Sequence, residues 1–158
     1  MAARLHPAPS PAEELLDLRR LSARDLEPLL QEEIATWRDE LEWDFEKSAD
    51  LVRRFVELRA LNGSALLRDG QVIGYVYYVL EENKGLVGDL YIRRAFRSIE
   101  REHILLEAAL APAVDSAHVS RIECQLMMLD PAPGRSLPLA QYVSGFERNF
   151  MRVDLRRA

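Results

Sequence analysis

The chain has 158 residues and a formal net charge of −5, and its 48% hydrophobic and 30% charged residues are ordinary for a soluble globular protein. That length fits one domain with a real core, and the acidic balance argues against a general nucleic-acid binder, which needs a concentrated basic surface. Cys124 stands alone, so an internal disulfide and a cysteine-rich metal site are both excluded.

Residues 1–12, rich in Ala and Pro, read as a loose leader ahead of a domain over 13–158. The opening MAARLHPAPSPAEE lacks the apolar centre of a secretion signal, and no run of about 18 apolar residues offers a membrane span. The expectation is a cytoplasmic protein with no membrane partner. A strand is predicted over 14–20, with Leu15, Leu16 and Leu18 on its apolar side. Ser22 and Asp25 then form a capping-box signature, and Leu26, Leu30, Ile34, Trp37 and Leu41 recur at helical spacing. The acidic segment 38–50 interrupts that pattern. A second helix is predicted over about 50–60, with Leu51, Val52, Phe55 and Leu58 inward and the Leu61-Asn62-Gly63 stretch as its stop.

Strands follow. Asp69-Gly70 is a hairpin-turn signal between two extended runs, and a second turn at Glu81–Gly85 leads into LVGDLYI at 86–92. These runs are apolar on both faces, so helices are expected on both sides of the sheet. Tyr75, Tyr77 and Tyr78 are read as sheet packing. Ser98 can cap a helix over about 98–112 that ends at Pro112, and 120–129 reads as a strand in which Cys124 is a buried small hydrophobe. A short helix at about 138–147 and a last strand at 150–155 complete an α/β (α+β) order of mixed central β-sheet and flanking helices.

The stretch LYIRRAFRSIEREHILLEAAL at 90–110 carries the chemistry. A strand turns through arginines and a serine into a helix whose free amides and dipole suit an anion, and Arg97 can hold phosphate bidentately. Arg93, Arg94, Arg97 and Arg101 leave a local basic patch open. The alternative is structural: Ser98 caps, and Glu100 and Glu102 are acids stabilising a first turn.

The order of elements and this segment resemble the GCN5-related N-acetyltransferase (GNAT) superfamily. In that family the fourth strand leads to a loop and helix carrying Arg or Gln, two residues, a glycine, one residue, and a glycine or alanine. YIRRAFRSIERE lies over that pattern without a gap: Tyr91 and Ile92 end the strand, Phe96 is the aromatic, and Arg97 is the Arg/Gln. Glu100 and Glu102 fall on the two small positions, and Arg94 replaces a frequent proline.

The resemblance implies acetyl-CoA as cosubstrate. The amides of Arg97, Ser98, Ile99, Glu100, Arg101, Glu102 and His103 would surround the pyrophosphate, and those of Leu90, Tyr91 and Ile92 would hold the pantetheine arm and thioester carbonyl. It implies N-acetyl transfer to an amine of a small molecule or protein, with Asp89 as the base and Tyr142 as the acid for the thiolate. Two placements of the family's tyrosine pattern compete. One uses Gly145-Phe146, with Gln141 at the tyrosine position and Tyr142 one residue off, and the other uses Phe146–Phe150. The family recognises acceptors near Glu40, Glu42 and Asp44. The three histidines, His6, His103 and His118, form no metal-site spacing, and no metal is expected. The acids in the loop also fit a catalytically silent structural or interaction domain of the same fold. Too few residues follow Phe150 for the family's two final strands, which predicts a domain short of its last strand and a homodimer through the terminal strand or the helix pair.

Overall fold

The computed structural model describes residues 13–129, 134–144, 153 and 156. Strand β1 (Glu13–Asp17) leads through a 3-10 turn (Leu18–Arg20) to helices α1 (Ala23–Leu41) and α2 (Glu46–Glu57). Strands β2 (Asn62–Arg68), β3 (Gln71–Glu81) and β4 (Lys84–Ile92) follow, then a 3-10 turn (Arg94–Phe96), helix α3 (Ile99–Val114), strand β5 (Arg121–Cys124) and a last 3-10 turn (Ala140–Tyr142). The sheet runs β1-β2-β3-β4-β5, antiparallel except for the parallel β4–β5 pair. The α+β mixed sheet expected from the sequence is therefore present.

Each face of the sheet carries its own core. Ala65, Leu67, Val72, Tyr75 and Tyr91 pack under α1 and α2, against Leu26, Leu30, Trp37, Ala49, Val52 and Val56. Leu66, Ile73, Val76, Leu90 and Ile92 pack under α3, against Leu105, Leu106, Ala109 and Leu110. Alternating strand residues serve opposite faces, which is why these strands read as apolar throughout. A fully buried leucine such as Leu30 or Leu105 contributes about 1.5–3 kcal/mol.

Local signals explain the element ends. Ser22 and Asp25 form a reciprocal capping box at α1. Asp69 and Gly70 turn the β2–β3 hairpin with φ of 51° and 78°, the left-handed pair that a two-residue turn requires.

Several expectations are corrected. The first strand stops at Asp17, whose carboxylate accepts from the Arg19 backbone N–H at 2.8 Å and turns the chain before the buried Leu18. Helix α1 reaches Leu41, as its apolar stripe was read, and so takes in residues 38–41 of the segment read as an interruption; Glu42 ends it at φ 52°. Helix α2 starts earlier than predicted and buries Ala49, Val52 and Val56, leaving Leu51, Phe55 and Leu58 exposed. Polar contacts to α1 set that rotation: Arg53 Nε donates to Glu27 Oε2 at 2.9 Å, and the Ala23 N–H donates to Glu57 Oε1 at 2.8 Å.

The turn after α2 is made by Arg59, at φ 53°, while Asn62 and Gly63 already belong to β2. Helix α3 continues past Pro112 to Val114, with Ala113 buried under the sheet, although Pro112 removes one N–H from the helix's hydrogen bonding. Strand β5 has only four residues, and Cys124 is exposed. In place of the predicted helix over 138–147 the described residues show only the 3-10 turn. Residues 145–150, the leader and all but Val153 of the predicted last strand lie outside the described residues.

Candidate functional site

Strand β4 leaves its neighbour partway along. Lys84–Val87 pair with Arg121–Cys124, and the β3 register slips at this point, Tyr77 facing Asp89 and Tyr78 facing Val87. Gly88 is the extra residue of a β-bulge. A Cβ there would lie 2.1 Å from the Tyr77 ring, so any other residue would have to displace that ring. The bulge rephases the strand, turning Asp89 and Tyr91 toward α1 and Leu90 and Ile92 toward α3. Beyond it β4 has an edge free of β5, and the chain after Cys124 turns away through Met127 and Met128.

A cavity of about 320 Å³ lies at this parting, lined by Glu40, Arg97, Ser98, Glu102, Met127 and Met128. Ser98 caps α3 here, its hydroxyl accepting from the Arg101 N–H at 3.2 Å. Glu100 points to water, and hydrogen bonds from its own backbone amide and Ser98 hold its carboxyl below the usual range. Glu102 points inward, 3% exposed, and pairs with Arg135, whose side chain is 7% exposed.

The basic cluster is already engaged. Arg93 Nε donates to Glu32 at 3.1 Å, and the Arg94 backbone N–H donates to Glu32 at 2.6 Å. Burial pushes the Glu32 carboxyl up, but the Arg94 amide, Arg93 and the Tyr91 hydroxyl outweigh it and hold it low. Arg97 Nε donates to the Ile92 carbonyl at 3.2 Å, and its guanidinium lies 5.4 Å above the Tyr91 ring. Glu40 spans Arg94 at 3.4 Å and Arg97 at 3.9 Å. Arg101 is bound to Glu13 at 2.7 Å. The open basic patch allowed by the sequence is thus neutralised by the chain's own acids.

On the opposite face, under α1, two acids meet. Glu33 is 0% and Asp89 4% exposed. Tyr75 donates its hydroxyl to Glu33 Oε2 at 2.9 Å, Trp37 Nε1 donates to Oε1 at 3.2 Å, and the Leu90 N–H donates to Asp89 Oδ1 at 2.8 Å. Burial, then the Asp89 charge, drives the Glu33 carboxyl well above its usual range, and burial also raises Asp89. Both acids are thereby shifted toward the protonated form, and their titrations are linked. The same burial and the two nearby acids push the Tyr77 hydroxyl up to about 12.

No sequence-family profile matches the chain, and no curated protein matches it in sequence. Solved structures do match. A ribosomal-protein-alanine N-acetyltransferase from Brucella melitensis biovar Abortus 2308 superposes with a TM-score of 0.55 and 20% identity, over 90% of this chain and 98% of its own. A GCN5-related N-acetyltransferase from Ralstonia eutropha JMP134 gives 0.55 and 15%, over 81% and 99%. The chain has the GNAT fold. A GNAT family acetyltransferase from Brucella melitensis in complex with acetyl-CoA adds a TM-score of 0.54 at 17% identity, over 72% of this chain and 74% of its own.

Within the GNAT fold, the residues expected to hold a cofactor gather around the β4–β5 parting. Leu90, Tyr91 and Ile92 are buried at the end of β4, and Arg97 to His103 form the turn and the first residues of α3. A phosphorylated cofactor fits this arrangement. Glu100 leaves the loop clear, and Arg135 compensates the charge of Glu102. Asp89 sits next to the bulge but is sealed under α1. Tyr142, on the last 3-10 turn, is 81% exposed. Glu42 and Asp44 line a separate cavity of about 410 Å³ with Trp43 and Glu46, whereas Glu40 lines the first.

Sequence reasoning missed Glu33, Glu32 and Arg135. The signal for Glu33 was present, since it falls on the buried stripe of α1 between Leu30 and Trp37. Arg135, in a loop of Pro and Gly, gave none.

Proposed function

We propose that this protein is an N-acetyltransferase that moves an acetyl group from acetyl-CoA to an amine of a small molecule or protein. The parting of β4 from β5 at the Gly88 bulge carries this reading, because it opens a lined cavity beside the capped start of α3. Leu90 to Ile92 offer backbone groups to the acyl arm, and Arg97 to His103 offer amides to the phosphates.

Acetyl-CoA, when bound, supplies a thioester that an amine can attack. The proton leaving the amine as the new N–C bond forms is assigned to Asp89, taken as the ionised member of the pair while Glu33 stays protonated. Tyr142 is assigned the protonation of the departing sulfur. The acid-rich cavity with Trp43 suits a cationic acceptor by charge and cation–π attraction. A cytoplasmic homodimer belongs to the same reading, and the exposed Leu51 and Phe55 on α2 and Leu58 just after it support the dimer.

Calorimetric titration tests the core of it. Acetyl-CoA is expected to bind saturably and raise the melting temperature, with Arg97→Ala losing both effects. No heat and no thermal protection at millimolar acetyl-CoA overturns the assignment and leaves a fold used without its cofactor.

A further inference from the structure

Helix α2 carries its charges in an order that complements its own reverse. Lys47, Asp50, Arg54 and Glu57 are exposed and recur every three or four residues, so they form one stripe along the helix. Beside it run Leu51, Phe55 and Leu58, which are 55%, 43% and 64% exposed. The acids of the stripe each use one oxygen within the chain: Asp50 Oδ1 accepts from Arg53 at 2.7 Å and Glu57 Oε1 from the Ala23 N–H at 2.8 Å. Their second oxygens are free among the described residues, where Lys47 and Arg54 also make no ion pair.

A two-fold axis perpendicular to α2 sets the helix antiparallel to a second copy of itself and brings the same flank of each helix together. The stripe then meets its own reverse. Lys47 lies opposite the partner's Glu57 and Asp50 opposite the partner's Arg54, while Leu51 falls against the partner's Phe55. An anionic membrane or an acidic helix from another protein would satisfy Lys47 and Arg54 but leave Asp50 and Glu57 against like charge, whereas a second copy satisfies all of them. We propose that α2 is the self-association surface of this protein, an isologous contact that buries the Leu51, Phe55 and Leu58 stripe and forms the Lys47–Glu57 and Asp50–Arg54 pairs between copies. The inference rests on the homodimer in the reading above and names its surface.

Sedimentation velocity of the wild type, Arg54→Glu, Asp50→Lys and an equimolar mixture of the two variants tests it. The wild type is expected to dimerise in the micromolar range, as suits a contact one helix wide. Arg54→Glu sets an acid against the partner's Asp50, and Asp50→Lys sets a cation against the partner's Arg54, so each alone is expected to weaken dimerisation by about tenfold or more. In Asp50→Lys, Arg53 retains Glu27 at 2.9 Å, which keeps the helix seated on α1. Mixing the two variants is expected to restore a dimer, because every pair across the two-fold then joins opposite charges again.

No recovery in the mixture, or a dimer indifferent to both variants, overturns α2 as the surface and leaves the homodimer to another one. A wild type that stays monomeric at high micromolar concentration overturns both, and capture of that monomer by vesicles of anionic phospholipid would assign the face to a lipid surface instead. If a variant does not fold, hydrogen exchange of the wild type decides: raising its concentration is expected to slow exchange over 46–58, and slowing only elsewhere overturns the proposal. Acetyl-CoA titration of the same proteins keeps the catalytic reading separate, since neither Asp50 nor Arg54 lines a cavity. Acetyl-CoA bound by none of them sinks the acetyltransferase reading without touching the dimer.

Discussion

The protein buries acid on both sides of its sheet and balances it in two different ways. Under α1, Glu33 meets Asp89, two like groups that bury only by holding a proton. Beside α3, Glu102 meets Arg135, opposite charges that bury by pairing. The first arrangement depends on pH. The second depends on both partners being present, and it adjoins the open cleft, whereas the first is sealed. The contrast separates a pair whose charge state follows pH from one held by opposite charges.

The largest effect should come from breaking the charge pair. Arg135→Met takes the guanidinium away from the buried Glu102 carboxylate, and the expected loss is about 3–5 kcal/mol, the cost of removing one member of a buried ion pair. Urea denaturation at neutral pH measures it. A loss no larger than that of an exposed pair, about 0–1 kcal/mol, would mean that Glu102 escapes to solvent and that the two buried acids do not differ as argued.

The acid pair should respond to pH instead. Its raised folded-state values mean that the native state holds a proton the unfolded chain releases above the ordinary glutamate value of 4.5. The contribution of Glu33 is therefore fully present below about pH 4.5 and is lost as pH rises toward its elevated folded value. Glu33→Gln cannot ionise, so its stability relative to wild type should rise between pH 5 and pH 8. Urea midpoints of the two proteins at both pH values give the comparison. Parallel pH profiles would show that Glu33 is ionised in the fold.

What the sequence revealed follows the range of the interactions. The Ser22–Asp25 box, the Asp69-Gly70 turn and the Ser98 start depend on residues within three positions of each other, and each is where it was read. The rotation of α2 was misread because Leu51, Phe55 and Leu58 satisfy a helical stripe as well as Ala49, Val52 and Val56 do. The choice is made by Glu27 and Ala23, 26 and 34 positions away from their partners. The candidate site divides the same way. Arg97 and Ser98 were legible from the strand-to-helix pattern, while the orientation of Glu102 depends on Arg135, 33 positions distant, which no local pattern encodes.

The smallest effect concerns the two helix starts. Ser22→Ala and Ser98→Ala each remove a cap and should each cost about 1 kcal/mol of stability. Ser22 begins a helix over the sealed acid pair and Ser98 one beside the cleft, so they differ in what else the cap supports. If the amides at the start of α3 hold phosphate, Ser98→Ala should also weaken pyrophosphate binding by a fewfold while Ser22→Ala leaves it unchanged. Equal binding by both variants would mean that Ser98 only starts a helix, as Ser22 does.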